Sequence, residues 1–241
     1  MSAIFDELKR RVRPLLANNQ LLEQKVRIKA RPLSTEEAIG NPEANDFPLQ
    51  KGKERLMQAE FQGALGQAYT DQFGDYEGTM GEILAMPLSN NFRRAIFVAA
   101  INAALRYLGK IERTIHCRDE GPAMCGRQLP AFIQERYGKP RVALIGFQPR
   151  MAENLAAHFP LRIVDMDPEN IGTSPNRVEI ESPEATRAVV EWAELLCVTG
   201  TTVVNDTVGP FLGDKPVVFY GTTVAGAAYL MHWQRFCQES K

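Results

Sequence analysis

The chain has 241 residues, enough for one large domain or two small ones around a hydrophobic core. Its 44% apolar and 24% charged residues exclude a disordered chain, and a formal net charge of -1 removes the electrostatic footprint of a general nucleic-acid binder. No stretch reaches the about 18 to 20 continuous apolar residues of a membrane span, and MSAIFDELKRR carries no apolar signal core, so a cytoplasmic protein is expected.

The first element is a helix over residues 2–17, with Ile4, Leu8, Val12, Leu15 and Leu16 at helical spacing and Lys9 to Arg13 on a solvated face. KVRIKA, 25–30, alternates as a half-buried strand does. The Pro-, Gly- and Asn-rich stretch 32–52 reads as a loop or insertion. Residues 56–71 predict one or two short antiparallel strands, and 78–86 a short helix or turn. The clearest helix spans 92–108, capped at Asn90 or Asn91 and closed by Gly109. This half lacks βα alternation and predicts a small α+β domain.

The second half alternates. Helices are expected over 123–136, 149–158, 183–191, 203–212 and 224–236, and strands over 141–145, 161–164, 195–198 and 217–220. Four short apolar strands between helices imply a parallel sheet covered on both faces. The fold class expected is α/β: a Rossmann-like parallel-sheet domain, residues 113–241, preceded by a small α+β domain, residues 1–112.

Ligands of open parallel sheets bind outside the carboxyl ends of the strands. Gly-Thr-Thr-Val occurs there twice, at Gly200 to Val203 and Gly221 to Val224. Each copy leads towards a helix and offers backbone N–H groups and hydroxyls. Candidate ligand residues are therefore Thr199, Gly200, Thr201, Asn205, Gly221, Thr222 and Thr223. A plain turn with an N-cap accounts for the same residues equally well. Gly146 and Pro149 mark a third strand end, without the Gly-x-Gly-x-x-Gly of a pyrophosphate loop. Asp165 ends the next strand near the offset at which an acid holds a ribose hydroxyl, followed by Asn170.

His116, Cys117 and Cys125 place three soft or borderline donors within ten residues, a set that suits zinc, copper(I) or another soft metal. The spacing is looser than a zinc knuckle's. Buried cysteines with a satisfied histidine, or one reactive thiol beside an arginine, are the alternatives. Cys197 falls in a strand and reads as core. His232 and Cys237, five apart, would not share a helix face.

AAINAALRYLG at 99–109, VALIGFQP at 142–149, the Thr199-Gly200 strand end and the late strand followed by Gly221-Thr222-Thr223 together resemble a family named for a proposed heavy-metal chelation. The resemblance covers most of the chain. It implies a Rossmann-like domain preceded by a domain like the N-terminal part of enolase, with a ligand site in the cleft between them. The family pattern near the last strand is Gly-Pro-like, and Gly221-Thr222-Thr223 departs from it. The expected partner is a small molecule or a metal ligand, with a soft divalent metal as the candidate cofactor, no nucleic acid and no membrane, and a homo-oligomer left open. The competing expectation is an enzyme that uses a nucleotide or S-adenosylmethionine-like cofactor with Cys117 or Cys125 as a reactive thiol.

Overall fold

The computed structural model describes residues 2–29 and 55–241; the loop or insertion expected over 32–52 lies outside them. Helix α1 (Ala3–Asn18) buries Phe5, Leu8, Val12 and Leu16, the apolar stripe of the sequence. Its basic run is absorbed locally: Arg10 and Arg11 both pair with Glu7, and Lys9 donates to the Met86 carbonyl.

Strands β1 (Lys25–Lys29), β2 (Arg55–Phe61), β3 (Ala64–Thr70) and β4 (Tyr76–Thr79) form an antiparallel sheet in the order β3-β2-β1-β4. A two-residue turn joins β2 to β3. Gln62 and Gly63 both take positive φ, as a hairpin matched to the strand twist requires. Thr79 and Glu82 then form a capping box that starts the short helix α2 (Met80–Ala85).

Helix α3 (Asn91–Tyr107) is capped by the Asn90 side chain, and residues 95–105 are all buried. A helix wrapped on every side has no polar face, which is why its apolar residues run continuously instead of recurring at helical spacing. Small residues let it be wrapped so closely. A Cβ on Gly66 of β3 would sit 2.2 Å from the Ala103 backbone nitrogen, so strand and helix touch backbone to backbone.

The second half begins with α4 (Gly121–Tyr137), ended by Gly138 at φ +73. There follow β5 (Val142–Ile145), α5 (Pro149–His158), β6 (Leu161–Val164), β7 (Ile180–Glu181), α6 (Thr186–Trp192), β8 (Leu195–Thr199), α7 (Thr201–Val204), β9 (Val217–Tyr220), α8 (Ala225–Met231) and β10 (Gln234–Phe236). Six strands pair in parallel in the order β10-β9-β8-β5-β6-β7. Counted along the chain this is the 3-2-1-4-5-6 order of a doubly wound sheet, whose switch point lies between β5 and β8. Side chains alternate between two cores. Val142, Leu144, Leu195 and Cys197 face α4 and α5, whereas Ala143, Ile145, Leu196 and Val198 face the cluster built on α3. That cluster also holds the inner faces of α1 and the antiparallel sheet, so α3 is sandwiched between the two sheets.

The mixed α/β class is as expected, with corrections. The helix expected over 203–212 shortens to the four residues of α7 plus a 3₁₀ turn at Gly209–Phe211, because Asp206 enters the left-handed region at φ +59 and ends it. The helix expected over 224–236 stops at Met231. His232 is left-handed, and the chain turns back into β10 so that Trp233 stacks on Phe219 and Phe236 meets Phe132. Residues 183–191 split into a 3₁₀ turn, Pro183–Ala185, and α6. Two-residue β7 and three-residue β10 were too short to carry a period.

Asn102 fastens α3 to its neighbours. Fully buried, its amide nitrogen donates to the carbonyls of Gln67, Thr222 and Thr223, and its oxygen accepts from the Gly226 N–H at 2.7 Å. Asn102→Ala orphans these groups and is expected to cost about 3 to 4 kcal/mol. Denaturant unfolding checks this, and a loss under about 1 kcal/mol would remove Asn102 from that role.

Candidate functional site

The strand ends come first. Gly146 has φ +89, and a Cβ there would lie 2.6 Å from the Thr199 methyl, so the β5 and β8 ends touch across the switch point. Tyr220 closes the gap, its hydroxyl donating to the Gly146 carbonyl at 2.5 Å. Asp165 ties the next loop down. Its carboxylate accepts from the Phe147 N–H at 2.5 Å, the Asp167 N–H at 2.8 Å and the Asn170 amide at 3.3 Å. Pro149 is buried at the first turn of α5, whose N-terminus is capped by Gln148.

The two Gly-Thr-Thr copies pack against each other. A Cβ on Gly200 would stand 2.8 Å from the Val224 nitrogen, and the Gly200 N–H already bonds the Tyr220 carbonyl. In the first copy Thr199, Thr201 and Asn205 remain partly exposed; the Thr201 hydroxyl bonds Thr199 Oγ1, and Asn205 accepts from Asn91. In the second copy Thr222 and Thr223 are 0% and 2% exposed, and Thr223 Oγ1 accepts from the Tyr69 N–H. Gly221 takes φ +94 and gives its carbonyl to Arg235. Gly146, Thr199 and Gly200 thus meet at the switch point, while Thr222 and Thr223 face the antiparallel sheet and α3.

The thiols form the second constellation. Gly121 and Cys125 lie one turn apart on α4. The missing side chain of Gly121 makes a notch in which Cys117 sits: a Cβ on Gly121 would be 2.7 Å from the Cys117 Cβ and 3.6 Å from its sulfur. From that notch the Cys117 thiol donates a hydrogen bond to Cys125. Both residues are buried. That donation, with burial, pushes Cys117 far above the ordinary thiol range. Cys125 is drawn down to about 7 by the same hydrogen bond. Burial and the Glu239 charge oppose the shift, and the backbone N–H groups of Glu239 and Gln238 add donors. Cys197, sealed in β8, is pushed up to about 12 by burial alone.

Residues 237–241 cover the pair. Lys241 and Ile115 exchange backbone hydrogen bonds, and Arg106 donates to the Lys241 carbonyl. Within this strap Cys237 sits beside Ser240, their side-chain heteroatoms 2.5 Å apart. Arg235 hydrogen-bonds Cys237, and burial lowers its pKa while Cys237 and Cys125 raise it. The guanidinium also donates to the carbonyls of Gly221, Glu112 and Arg113. Arg235 also lines an open groove of about 460 Å³ shared with Arg113, Tyr229 and Trp233.

Of the three donors singled out in the sequence, Cys117 and Cys125 come together. His116 turns to β3, its N–H bonded to Gln67 and its ring edge-on to Tyr69 at 5.4 Å. Among the described residues no group of three or more His, Cys, Asp or Glu side chains is placed to hold a metal ion. The sequence pairs Cys237 with His232, from which it is five residues away, and places Arg235 inside the helix expected over 224–236, so neither is expected beside the thiols.

A doubly wound α/β layer carrying a buried thiol pair is the class these features define. Residues 131–230 match the model of the family described as "Putative heavy-metal chelation", DUF364, so the resemblance read in the sequence stands over that stretch. Among solved structures, a DUF364 protein of unknown function from Pyrococcus horikoshii aligns with TM-score 0.58 and 17% identity, over 91% of this chain and 79% of its own. A second, from Desulfitobacterium hafniense, aligns with TM-score 0.50 and 14% identity, over 73% and 72%. At these identities the likeness is one of fold. No curated protein matches. No helix of the described residues is long and apolar enough to cross a membrane.

Cys117→Ala removes the thiol donor, so the Cys125 pKa is expected to rise from about 7 towards the ordinary thiol range. At pH 7 its thiolate fraction then falls. Thiolate ultraviolet absorbance followed against pH reads the change, and an unmoved titration would break the proposed pairing.

Proposed function

We propose that the chain binds a thiophilic metal ion between Cys117 and Cys125. The observation that carries this reading is the buried sulfur-to-sulfur hydrogen bond, which holds two soft donors side by side in a notch shaped by Gly121. The donor set fits the chemistry. Thiolates favour soft ions, whereas magnesium and calcium need cages of oxygen ligands that this pair does not offer. A closed zinc site needs four ligands in a tetrahedron, and this pair supplies two. The name of the family matched over residues 131–230 points the same way.

Each residue has a role that follows from its surroundings. Cys125 is the readier ligand, since its donors favour the charged sulfur. Cys117 surrenders its proton only when an ion replaces the hydrogen bond, so uptake releases protons and strengthens as pH rises. The strap 237–241 excludes water from the pair, which strengthens every electrostatic contact inside.

The test uses protein purified without a metal-affinity tag and kept reduced with a phosphine. Copper(I), silver(I), cadmium(II) and mercury(II) are offered separately, the excess is removed, and retained metal is measured by elemental mass spectrometry. Wild type is expected to keep one ion per chain of at least one of these metals, and Cys117→Ser/Cys125→Ser none. A folded wild type that keeps none overturns the reading.

A further inference from the structure

The open groove of about 460 Å³ is lined by no cysteine and has a chemistry of its own. Its volume falls within the range of small-molecule sites, about 300 to 1,000 Å³. Three segments line it: one face of α8, residues 109–113 beyond α3, and the pair Trp233 and Arg235. Ala225, Ala228 and Tyr229 stand at i, i+3 and i+4, so α8 presents them together. With half-buried Ile111 and Trp233, the two alanines give the groove an apolar lining.

The lining is pinned before any ligand arrives. The N–H groups of Gly109 and Lys110 bond the carbonyls of Arg106 and Leu105, both at 2.9 Å. Arg235 donates to the carbonyls of Glu112 and Arg113 and so staples that loop to β10. Trp233 is held by its stack on Phe219, ring centroids 4.5 Å apart. A ligand would have little left to order, which favours binding.

Four of the lining side chains are charged: Lys110, Arg113 and Arg235 against Glu112. The groove is thus cationic in a chain whose formal net charge is -1. Arg235 spends its donors on the carbonyls of Gly221, Glu112 and Arg113. Arg113 gives one nitrogen to Gln238 at 2.9 Å and keeps the others. The Lys110 ammonium, the Tyr229 hydroxyl and the Trp233 indole N–H have no hydrogen-bond partner among the described residues. An indole N–H shielded from water ordinarily finds an acceptor. Apart from the Glu112 carboxylate, the unspent polar side chains of the groove are therefore donors, beside an apolar strip.

We infer that the groove binds a small aromatic carboxylate, its ring against Ala225, Ala228 and Trp233 and its carboxylate on Lys110 and Arg113. A guanidinium matches both oxygens of a carboxylate, and the apolar strip takes the flat ring. Glu112 repels further negative charge, which disfavours a phosphate dianion. Because the groove is open, water screens these contacts, and the affinity is modest.

Calorimetric titration of the full chain with 4-biphenylacetate tests this, and a dissociation constant below about 1 mM is expected. The matching amide, which keeps the rings and loses the charge, should bind at least about tenfold more weakly, and acetate should not bind. Location is read from fluorescence. The chain has two tryptophans, so Trp192→Phe leaves Trp233 as the sole indole, and its emission should change on binding. Lys110→Gln/Arg113→Gln should weaken binding about tenfold, as should raised salt in part. Cys117→Ser/Cys125→Ser should bind 4-biphenylacetate as wild type does, so this inference and the thiol-pair reading fail separately. Absence of binding, equal binding of the amide, tighter binding of adenosine monophosphate, or a silent Trp233 overturns the proposal. Thermal unfolding checks each variant. If the Lys110/Arg113 variant is unfolded, the amide comparison and the Trp233 response decide the question.

Discussion

The four hydrogen bonds of Asn102 are what the rest of the structure hangs on. One buried amide joins β3, through Gln67, to the loop between β9 and α8, through Thr222, Thr223 and Gly226. An apolar residue there would leave three carbonyls and an N–H unsatisfied in a dry interior. The small residues around it are consequences of the same contact. Gly226 must lack a side chain because its Cβ would lie 2.8 Å from Asn102 Oδ1, and Gly66 must lack one because α3 lies directly on β3. The second Gly-Thr-Thr copy is explained the same way: its buried threonines present two carbonyls to Asn102 of α3 and one hydroxyl to Tyr69 of β3.

The thiol pair depends on that arrangement at one remove. With the sheets fixed on either side of α3, residues 109–117 follow β3, where Thr114 exchanges hydrogen bonds with Leu65 and Gln67. The backbone bonds between Ile115 and Lys241 then draw residues 237–241 across the start of α4. Cys117, Cys125 and Cys237 come from three separate elements and reach one place only because all three contacts hold.

The structure also separates two kinds of glycine at strand ends. Gly200 is required by close approach to Val224, and Gly146 both by close approach to Thr199 and by its φ of +89, so both pack protein against protein. Gly221, with nothing within reach of a Cβ, is required by its φ of +94. Each reads identically in the sequence as a ligand-friendly strand end.

Much was legible in the sequence by itself. Local pattern located α1, β1, the β2–β3 hairpin, α3 and the four central parallel strands, because burial of one face or of a whole element writes a period or an apolar run into the chain. Two soft donors at Cys117 and Cys125 were legible from residue type. Tertiary structure decided the rest. Strand order, the short edge strands β7 and β10, and the buried docking of Thr222 and Thr223 depend on contacts between residues far apart in the chain. The turn of His116 towards Tyr69 and the arrival of Cys237 and Arg235 beside the thiols were set the same way. A side chain's type is local, but its partner is fixed by packing, which no spacing along the chain records.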